Sequence, residues 1–333
     1  MTEMMCLTDA RTAFGSFSGR EPENIKKISG GHVNRSFIAE CGEARIILQR
    51  LDRELFGSRL AAMEKDYLLY AEACERLKDK TGDWEFPQWI RSLDDSFFQE
   101  DKNGGIWRAY HFIVGDTVPA GCGEDILRSC GEGLAKLHYI LSEAGDGAED
   151  ILPGLHDLEA HIRAYRAAVK ETSAERLSQL EDIIEEHGER LCALTFPGRQ
   201  LIHGDVKAAN LLMRDGRVIA AIDTDSFMNG PRILDIADCM RSMCMNEDGA
   251  DEERCSILMD AYTSAGFVSL SKEERDAVPQ ALSRICFELG LRYYTDHLRG
   301  NIYFSQDHPG QNLRKAERLL RFSARSEDRW IKR

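Results

Sequence analysis

The stretch from Leu201 to Asp223 constrains this chain more tightly than any other. It runs Leu201-Ile202-His203-Gly204-Asp205-Val206-Lys207-Ala208-Ala209-Asn210-Leu211-Leu212-Met213, turns at Arg214-Asp215-Gly216-Arg217, and returns as Val218-Ile219-Ala220-Ala221-Ile222-Asp223. Short apolar runs bounded by turn residues read as strands. The segment is therefore a loop between apolar strands, followed by a hairpin whose return strand ends on an acid. Folding back at the turn brings Asp223 close to Asn210, so Asp205, Asn210 and Asp223 can converge on one point.

Such a constellation suits phosphoryl transfer. The reaction needs an acceptor hydroxyl aligned with the phosphate to be moved, and hard oxygen ligands for Mg2+. A carboxylate beside the acceptor can take its proton. An amide oxygen and a second carboxylate can hold the metal without excess negative charge. Asn210 follows Asp205 by five positions, the spacing of the protein-kinase catalytic loop. Lys207 stands where its ammonium could meet the transferring phosphate. Two other readings remain open at this point. Asp205 and Asn210 can simply cap turns, and His203, Asp205, Asp223 and Asp225 are residue types that a metal hydrolase could use.

The rest of the chain divides by pattern. Residues 25–113 read as mostly strand with one helix. Strands are expected at Ile25–Ile28, Ser36–Glu40, Ala44–Gln49, Phe86–Arg91 and Ile106–Val114. The helix is expected from Arg59 to near Lys78, with Leu60, Met63, Tyr67, Leu68 and Ala71 on one side. Ser29-Gly30-Gly31-His32-Val33-Asn34 forms a turn. Beyond Gly115 helical periodicity dominates, with helices over Glu124–Ser142, Leu158–Thr172, Ala174–Leu194 and Ile233–Asn246. The expected fold class is α+β, with a β-rich N-terminal lobe (25–113) and a mostly helical C-terminal lobe (114–333). Residues 1–24 read as an N-terminal extension.

Composition narrows the partners. The 333 residues suffice for two lobes, and the formal net charge of −14 argues against nucleic acid, which needs a basic face. The ten cysteines show no CxxC pair and no zinc spacing, so they read as reduced core residues of a cytoplasmic protein. No stretch is long and apolar enough to span a bilayer, and no membrane partner is expected.

His203-Gly204-Asp205 to Asn210, followed by Ile222-Asp223-Thr224-Asp225, resembles the aminoglycoside phosphotransferase and choline kinase superfamily. Within it the chain is most similar to the N-acetylhexosamine 1-kinase group. Further stretches carry that likeness: Gly31-His32-Val33-Asn34, Ile47-Leu48-Gln49-Arg50-Leu51, Leu152-Pro153-Gly154-Leu155-His156-Asp157, Asp235 to Ser242, and Leu291-Arg292 to Tyr303-Phe304. The resemblance implies a two-lobed protein-kinase-like fold and ATP with Mg2+ as cofactors. It implies Asp205 as base with Lys207 beside it, and Asn210 and Asp223 as metal ligands. Ser29, Gly30 and Gly31 would face phosphate. Gln49 stands where the usual strand lysine is expected, and Glu64 where a helix acid would brace that region. Tyr110, Phe112 and Val114 would lie along adenine. His32, Asp205, Arg292 and Tyr303 would contact an acceptor sugar, phosphorylated on its anomeric 1-hydroxyl. Asp225 is a candidate support or a turn residue. Asp235 and Asp238 would hold the helical lobe together, pairing with groups such as Arg241. Choline, ethanolamine, an aminoglycoside or homoserine are the competing acceptors, and a non-catalytic pseudokinase is a rival of another class. A monomer or weak homodimer is expected.

Overall fold

A computed structural model describes all residues except 1, 2, 29–32, 146, 248, 332 and 333, with side chains over 6–326. The chain is α+β and divides into two units, Met1–Gly115 and Asp116–Arg333.

The first unit opens with helix α1 (Glu3–Ser18), then strands β1 (Asn24–Ile28), β2 (Arg35–Cys41) and β3 (Ala44–Leu51). A short helical turn α2 (Arg53–Phe56), helix α3 (Leu60–Arg76) and a second turn α4 (Lys78–Thr81) follow. Strands β4 (Trp89–Ile90), β5 (Gln99–Glu100) and β6 (Ile106–His111) complete it. The sheet order is β1-β2-β3-β6-β4, with β5 also on β6, and every pairing is antiparallel.

Strand alternation gives the sheet two distinct faces. Phe37, Ala39, Ile46, Leu48, Trp107 and Ala109 share one face and form a core with Ala10, Ala13, Phe14 and Phe17 of α1. The residues expected as an extension thus contain a helix that covers the sheet and groups with the first unit. Ser36, Ile47, Gln49, Arg108 and Tyr110 share the other face by register. Trp89, opposite Tyr110, lies on that face too, and Tyr67 of α3 stacks on it at 4.2 Å while its hydroxyl accepts the Trp89 N–H at 2.8 Å.

Two expectations shift. The apolar stripe of α3 runs through Met63, Tyr67, Tyr70 and Cys74, an i, i+4, i+7, i+11 pattern, and leaves Leu68 exposed. Of the Phe86–Arg91 run only Trp89–Ile90 forms a strand; the Gln88 carbonyl accepts the His111 N–H at 2.9 Å, and Pro87 before it has no N–H to give.

The second unit begins with β7 (Asp116–Thr117), α5 (Glu124–Glu143), α6 (Leu158–Glu171) and α7 (Ser178–Cys192). The central strands are β8 (Arg199–Ile202), β9 (Leu211–Arg214), β10 (Arg217–Ala221) and β11 (Met228–Pro231). Helices α8 (Ile233–Met243), α9 (Glu252–Ser264), α10 (Lys272–Leu298) and α11 (Gln311–Ile331) close it. The strands form two small sheets, β10-β9-β7 and β11-β8. The long α10 is started by a capping box of Ser271 with Glu274. Its residues Phe287, Leu291, Tyr294 and Leu298 pack with α6, α7 and α11 in one apolar core. Among the described residues no helix is long and apolar enough to cross a membrane. All ten cysteines are free, and seven are buried.

Candidate active site

Strand β8 delivers its last residues into a loop that the second unit holds from several sides. The Asp235 carboxylate accepts the His203 N–H on Oδ2 and the Gly204 N–H on Oδ1, both at 2.8 Å. His138 Nε2 meets Asp235 Oδ2 at 3.1 Å, and its Nδ1 lies 2.8 Å from the Tyr262 hydroxyl. Burial alone would push the Asp235 carboxyl upward, but His138, with the His203 N–H, holds it below the usual carboxylate range. Asp238 instead pairs with Arg241 at 2.7 Å. Asp235 therefore pins the backbone of the loop, and Asp238 makes the Arg241 pair expected from sequence.

Gly204 takes φ of +80°, and a Cβ there would stand 2.4 Å from the Ser226 carbonyl oxygen. Only glycine fits this position. His203 is buried, with Nε2 donating to the Ile222 carbonyl at 3.0 Å and Nδ1 accepting the Asp205 N–H at 3.4 Å. Both ring nitrogens are thus spent on backbone. Among the described residues no three His, Cys, Asp or Glu side chains group as a metal site. The hydrolase reading, which needs His203 as a ligand, has no support in this geometry.

Asp205, Lys207 and Asn210 come together within the loop. Lys207 Nζ sits 2.6 Å from Asp205 Oδ2. Asn210 Nδ2 donates to the Asp205 carbonyl at 2.8 Å and to Asp205 Oδ2 at 3.1 Å. The Asn210 carbonyl accepts the Ile222 N–H at 2.9 Å, which ties the residue before Asp223 to the loop. The turn that achieves this has Asp215 at φ 51° and Gly216 at φ 76° between paired Arg214 and Arg217, the doubly left-handed turn that matches strand twist. Asp223 itself is left-handed, at φ 64°. Burial disfavours the Lys207 charge, but Asp205, then Asp223 and Asp238, keep the ammonium above its ordinary pKa. Asp225 is buried in the turn that follows, where the Ser226 hydroxyl donates to the His203 carbonyl at 2.7 Å.

A second chain of contacts leads away from Gly204. His156 Nε2 lies 2.9 Å from the Gly204 carbonyl, and Nδ1 lies 2.9 Å from Glu288 Oε1. Both partners are acceptors only, so both ring nitrogens must donate and the imidazole is the charged form. Burial opposes that charge, but Glu288, with Asp238 and the Gly204 carbonyl, outweighs it and lifts the His156 pKa to about 9. Arg292 stands one helical turn beyond Glu288 on α10, with its guanidinium 5.7 Å from the Phe304 ring centroid. The loop bearing Tyr303 is fixed by buried Asp296, which accepts the Tyr303 N–H at 2.8 Å and the Phe304 N–H at 3.0 Å. Tyr303 is 46% exposed, so its ring is available to a ligand.

The candidates in the first unit are placed as follows. Gln49 is buried and faces Arg108, whose Nε donates to Gln49 Oε1 at 2.9 Å. Glu64 lies 3.8 Å from Arg91, whereas the fully buried acid of α3 is Asp66. Tyr110 is half-buried opposite Ile47, Phe112 lies under the Arg45 guanidinium at 4.5 Å, and Val114 is exposed. Ser29, Gly30, Gly31 and His32 lie outside the described residues.

Sequence reading did not single out Arg108, Glu288 or Asp296, and gave His156 no role. The available signal was a charged residue within an apolar run, as in Ile106-Trp107-Arg108-Ala109 and Cys286-Phe287-Glu288-Leu289. Such residues are buried only when paired.

A sheet-bearing unit, a helical unit and a loop built as Asp-x4-Asn define a kinase-like phosphotransferase. A profile of the phosphotransferase enzyme family matches residues 24–256, and the chain belongs to that family. Among solved structures it is similar to a spectinomycin phosphotransferase in complex with ADP and spectinomycin, at 14% identity over 96% of this chain and 98% of that one, with a TM-score of 0.58. It is also similar to an amicoumacin kinase in complex with AMP-PNP and Ca2+, at 15% identity over 99% and 94%, with a TM-score of 0.65. A macrolide 2'-phosphotransferase from Brachybacterium faecium matches at 16% identity over 93% and 98%, with a TM-score of 0.54. These likenesses establish the kinase-like α+β fold.

Proposed function

We infer that the chain is an ATP- and Mg2+-dependent kinase that phosphorylates the anomeric hydroxyl of an N-acetylhexosamine or a related hexose. The observation that carries this reading is the Asp205 carboxylate held between the Lys207 ammonium and the Asn210 amide at 2.6 and 3.1 Å. With its nitrogen turned to Asp205, Asn210 has its amide oxygen as the atom to offer a metal. That oxygen and the Asp223 carboxylate are hard donors of the kind Mg2+ takes alongside phosphate oxygens and water. Mg2+ bound there supplies neutralisation of phosphate charge.

The chain's own residues do the remainder. Asp205 accepts the proton of the sugar 1-hydroxyl as that oxygen bonds to the γ-phosphorus. The bond from the γ-phosphorus to the bridging oxygen breaks, and ADP leaves. Lys207 holds Asp205 in position and places a positive charge beside the moving phosphoryl group. Arg292 and Tyr303 offer fixed donors and a flat ring to the sugar, and the His156–Glu288 pair joins the helix of Arg292 to the loop of Asp205. His32 joins this sugar set by resemblance. Gln49, Tyr110, Phe112 and Val114 are the nucleotide-facing candidates of the first unit.

The test is Mg2+-dependent ADP release across N-acetylglucosamine, N-acetylgalactosamine, galactose, glucose, choline and kanamycin. Turnover with a free sugar, abolished when its 1-hydroxyl is methylated, is the expected outcome. Turnover with choline or kanamycin alone would keep the Asp205 chemistry and overturn the sugar assignment. ATP binding without turnover on any acceptor would favour a pseudokinase.

A further inference from the structure

We propose that Ser242 is a positioning residue for the phosphoryl transfer: from helix α8 it fixes the far end of the loop that carries Asp205, Lys207 and Asn210. The proposal rests on the kinase reading above and deepens it.

The loop needs an anchor from outside because of the residue at position 207. Ala208–Asn210 is a single tight helical turn, and Lys207 stands at its N-cap. The first N–H groups of a helical turn have no partner inside it. A cap residue such as Ser, Thr, Asp or Asn supplies the missing acceptor oxygen. Lysine has only donors, and this ammonium is turned to Asp205 Oδ2. Lys207 accordingly makes no side-chain bond to the turn it opens. Ala208 is only 4% exposed, so without an acceptor its N–H would stand unpaired away from water, which is costly. Ser242 Oγ accepts that N–H at 2.8 Å, from 34 residues further along the chain.

The same helix holds the near end of the loop. Asp235 and Ser242 are seven residues apart on α8, two turns, and so share one face. Asp235 takes the His203 and Gly204 N–H groups, before Asp205, and Ser242 takes the Ala208 N–H, after Lys207. The helix between them is packed into the core through Ile236, Cys239 and Met243. Asp205 and Lys207 therefore sit between two fixed points on one buried helix. Inside the loop, the Asp205 carbonyl accepts the Lys207 N–H at 3.0 Å and the Lys207 carbonyl accepts the Asn210 N–H at 2.8 Å. Those bonds tie the three residues to one another, and the Ser242 bond places them as a unit. In that placement the Lys207 ammonium and the Asn210 amide both reach Asp205 Oδ2. Ser242 acts on the reaction through this backbone alone.

The experiment is steady-state kinetics of the full chain with Mg-ATP and N-acetylglucosamine, with thermal unfolding recorded for each variant. Ser242→Ala should lower kcat about tenfold, since a misplacement of reacting groups by about 1 Å is worth up to about 100-fold. The KM values for ATP and sugar should stay within about twofold of wild type, because the loss falls on the alignment of the reacting groups. Ser242→Thr restores the acceptor oxygen and should return kcat to within about threefold of wild type. Should Ser242→Ala fail to fold, Ser242→Cys is the second variant. It keeps the size, its sulfur is a weak acceptor, and it should show the same fall in kcat. A kcat within about twofold of wild type in Ser242→Ala or Ser242→Cys overturns the proposal. So does a fall that Ser242→Thr fails to restore, or one matched by a rise in both KM values, because either marks a general packing role. Absence of turnover by the wild type on every acceptor of the panel above is a separate result that removes the kinase reading itself. The anchor is then read by amide hydrogen exchange. Protection of the Ala208 N–H lost in Ser242→Ala and kept in Ser242→Thr supports it, and equal exchange in wild type and both variants overturns it.

Discussion

His156 and Glu288, 132 residues apart in sequence, meet at 2.9 Å, and the other nitrogen of the same imidazole holds the Gly204 carbonyl beside Asp205. The pair is an ion pair by necessity, since the imidazole has only acceptors around it. Glu288 is drawn below the usual carboxylate range because His156, and then His161 and Arg292, outweigh its burial.

The pH dependence of stability follows from that pair. The folded His156 pKa of about 9 exceeds the ordinary value of 6.5. Its contribution is complete below pH 6.5, declines as pH rises, and is gone above about 9, with a size on the order of 3 kcal/mol. His161, Asp238 and Glu288 also face this site, and Glu288 gives the opposite limb, losing its share only in acid. Thermal midpoints from pH 6.5 to 9.5 should fall for the wild type and stay flatter for His156→Gln. A wild-type curve as flat as the variant's would refute the charged state.

Asp205→Asn should lower kcat by about 100- to 10,000-fold with ATP affinity retained, as expected for loss of a general base. Lys207→Met should also lower kcat more than it raises the KM for ATP. Nucleotide titration alongside turnover separates the two effects. An Asp205→Asn enzyme with ordinary kcat would remove Asp205 from the chemistry.

Asp235→Asn replaces one of the two accepting oxygens with an NH2 group, which then faces the His203 or the Gly204 N–H. Breaking such a buried, fully bonded acid should cost about 3 kcal/mol. Denaturant unfolding reads the loss, and turnover should fall with it, since the backbone of Gly204 is released. A change below about 0.5 kcal/mol, the size typical of a surface site, would contradict the clamp.

Arg292→Ala should raise the KM for sugar by about tenfold or more, the loss of one hydrogen bond from a charged donor, with the KM for ATP unchanged. Steady-state kinetics with each substrate varied in turn checks this. An equal rise in both constants would point to a packing role over Phe304.

The central loop was legible because its information is local. Asp205, Asn210 and the hairpin at Asp215-Gly216 lie within one stretch, and turn chemistry alone returns Ile222, the residue before Asp223, to Asn210. The α+β division was legible for the same reason, through period-two runs followed by helical ones. What joins distant segments was not. Gln49 and Arg108 are 59 residues apart, and nothing along the strand Ile106–His111 marks Arg108 as the partner of Gln49. Asp235 drew notice as a pairing acid, but only the fold shows that it accepts backbone N–H groups from His203 and Gly204. Helix α1 escaped because Phe14 and Phe17 have an apolar role only against the sheet they cover. Leu68 shows the reverse error, an apolar residue counted into a stripe that the fold rotates away from it.

The most direct test of the account is phosphorus NMR of the product formed from ATP, Mg2+ and N-acetylglucosamine or N-acetylgalactosamine. The account predicts a phosphate on the anomeric carbon, coupled to the anomeric proton, and no product from the 1-O-methyl glycoside. A phosphate on any other hydroxyl, or product from the methyl glycoside, would contradict the assignment of the anomeric hydroxyl as the acceptor.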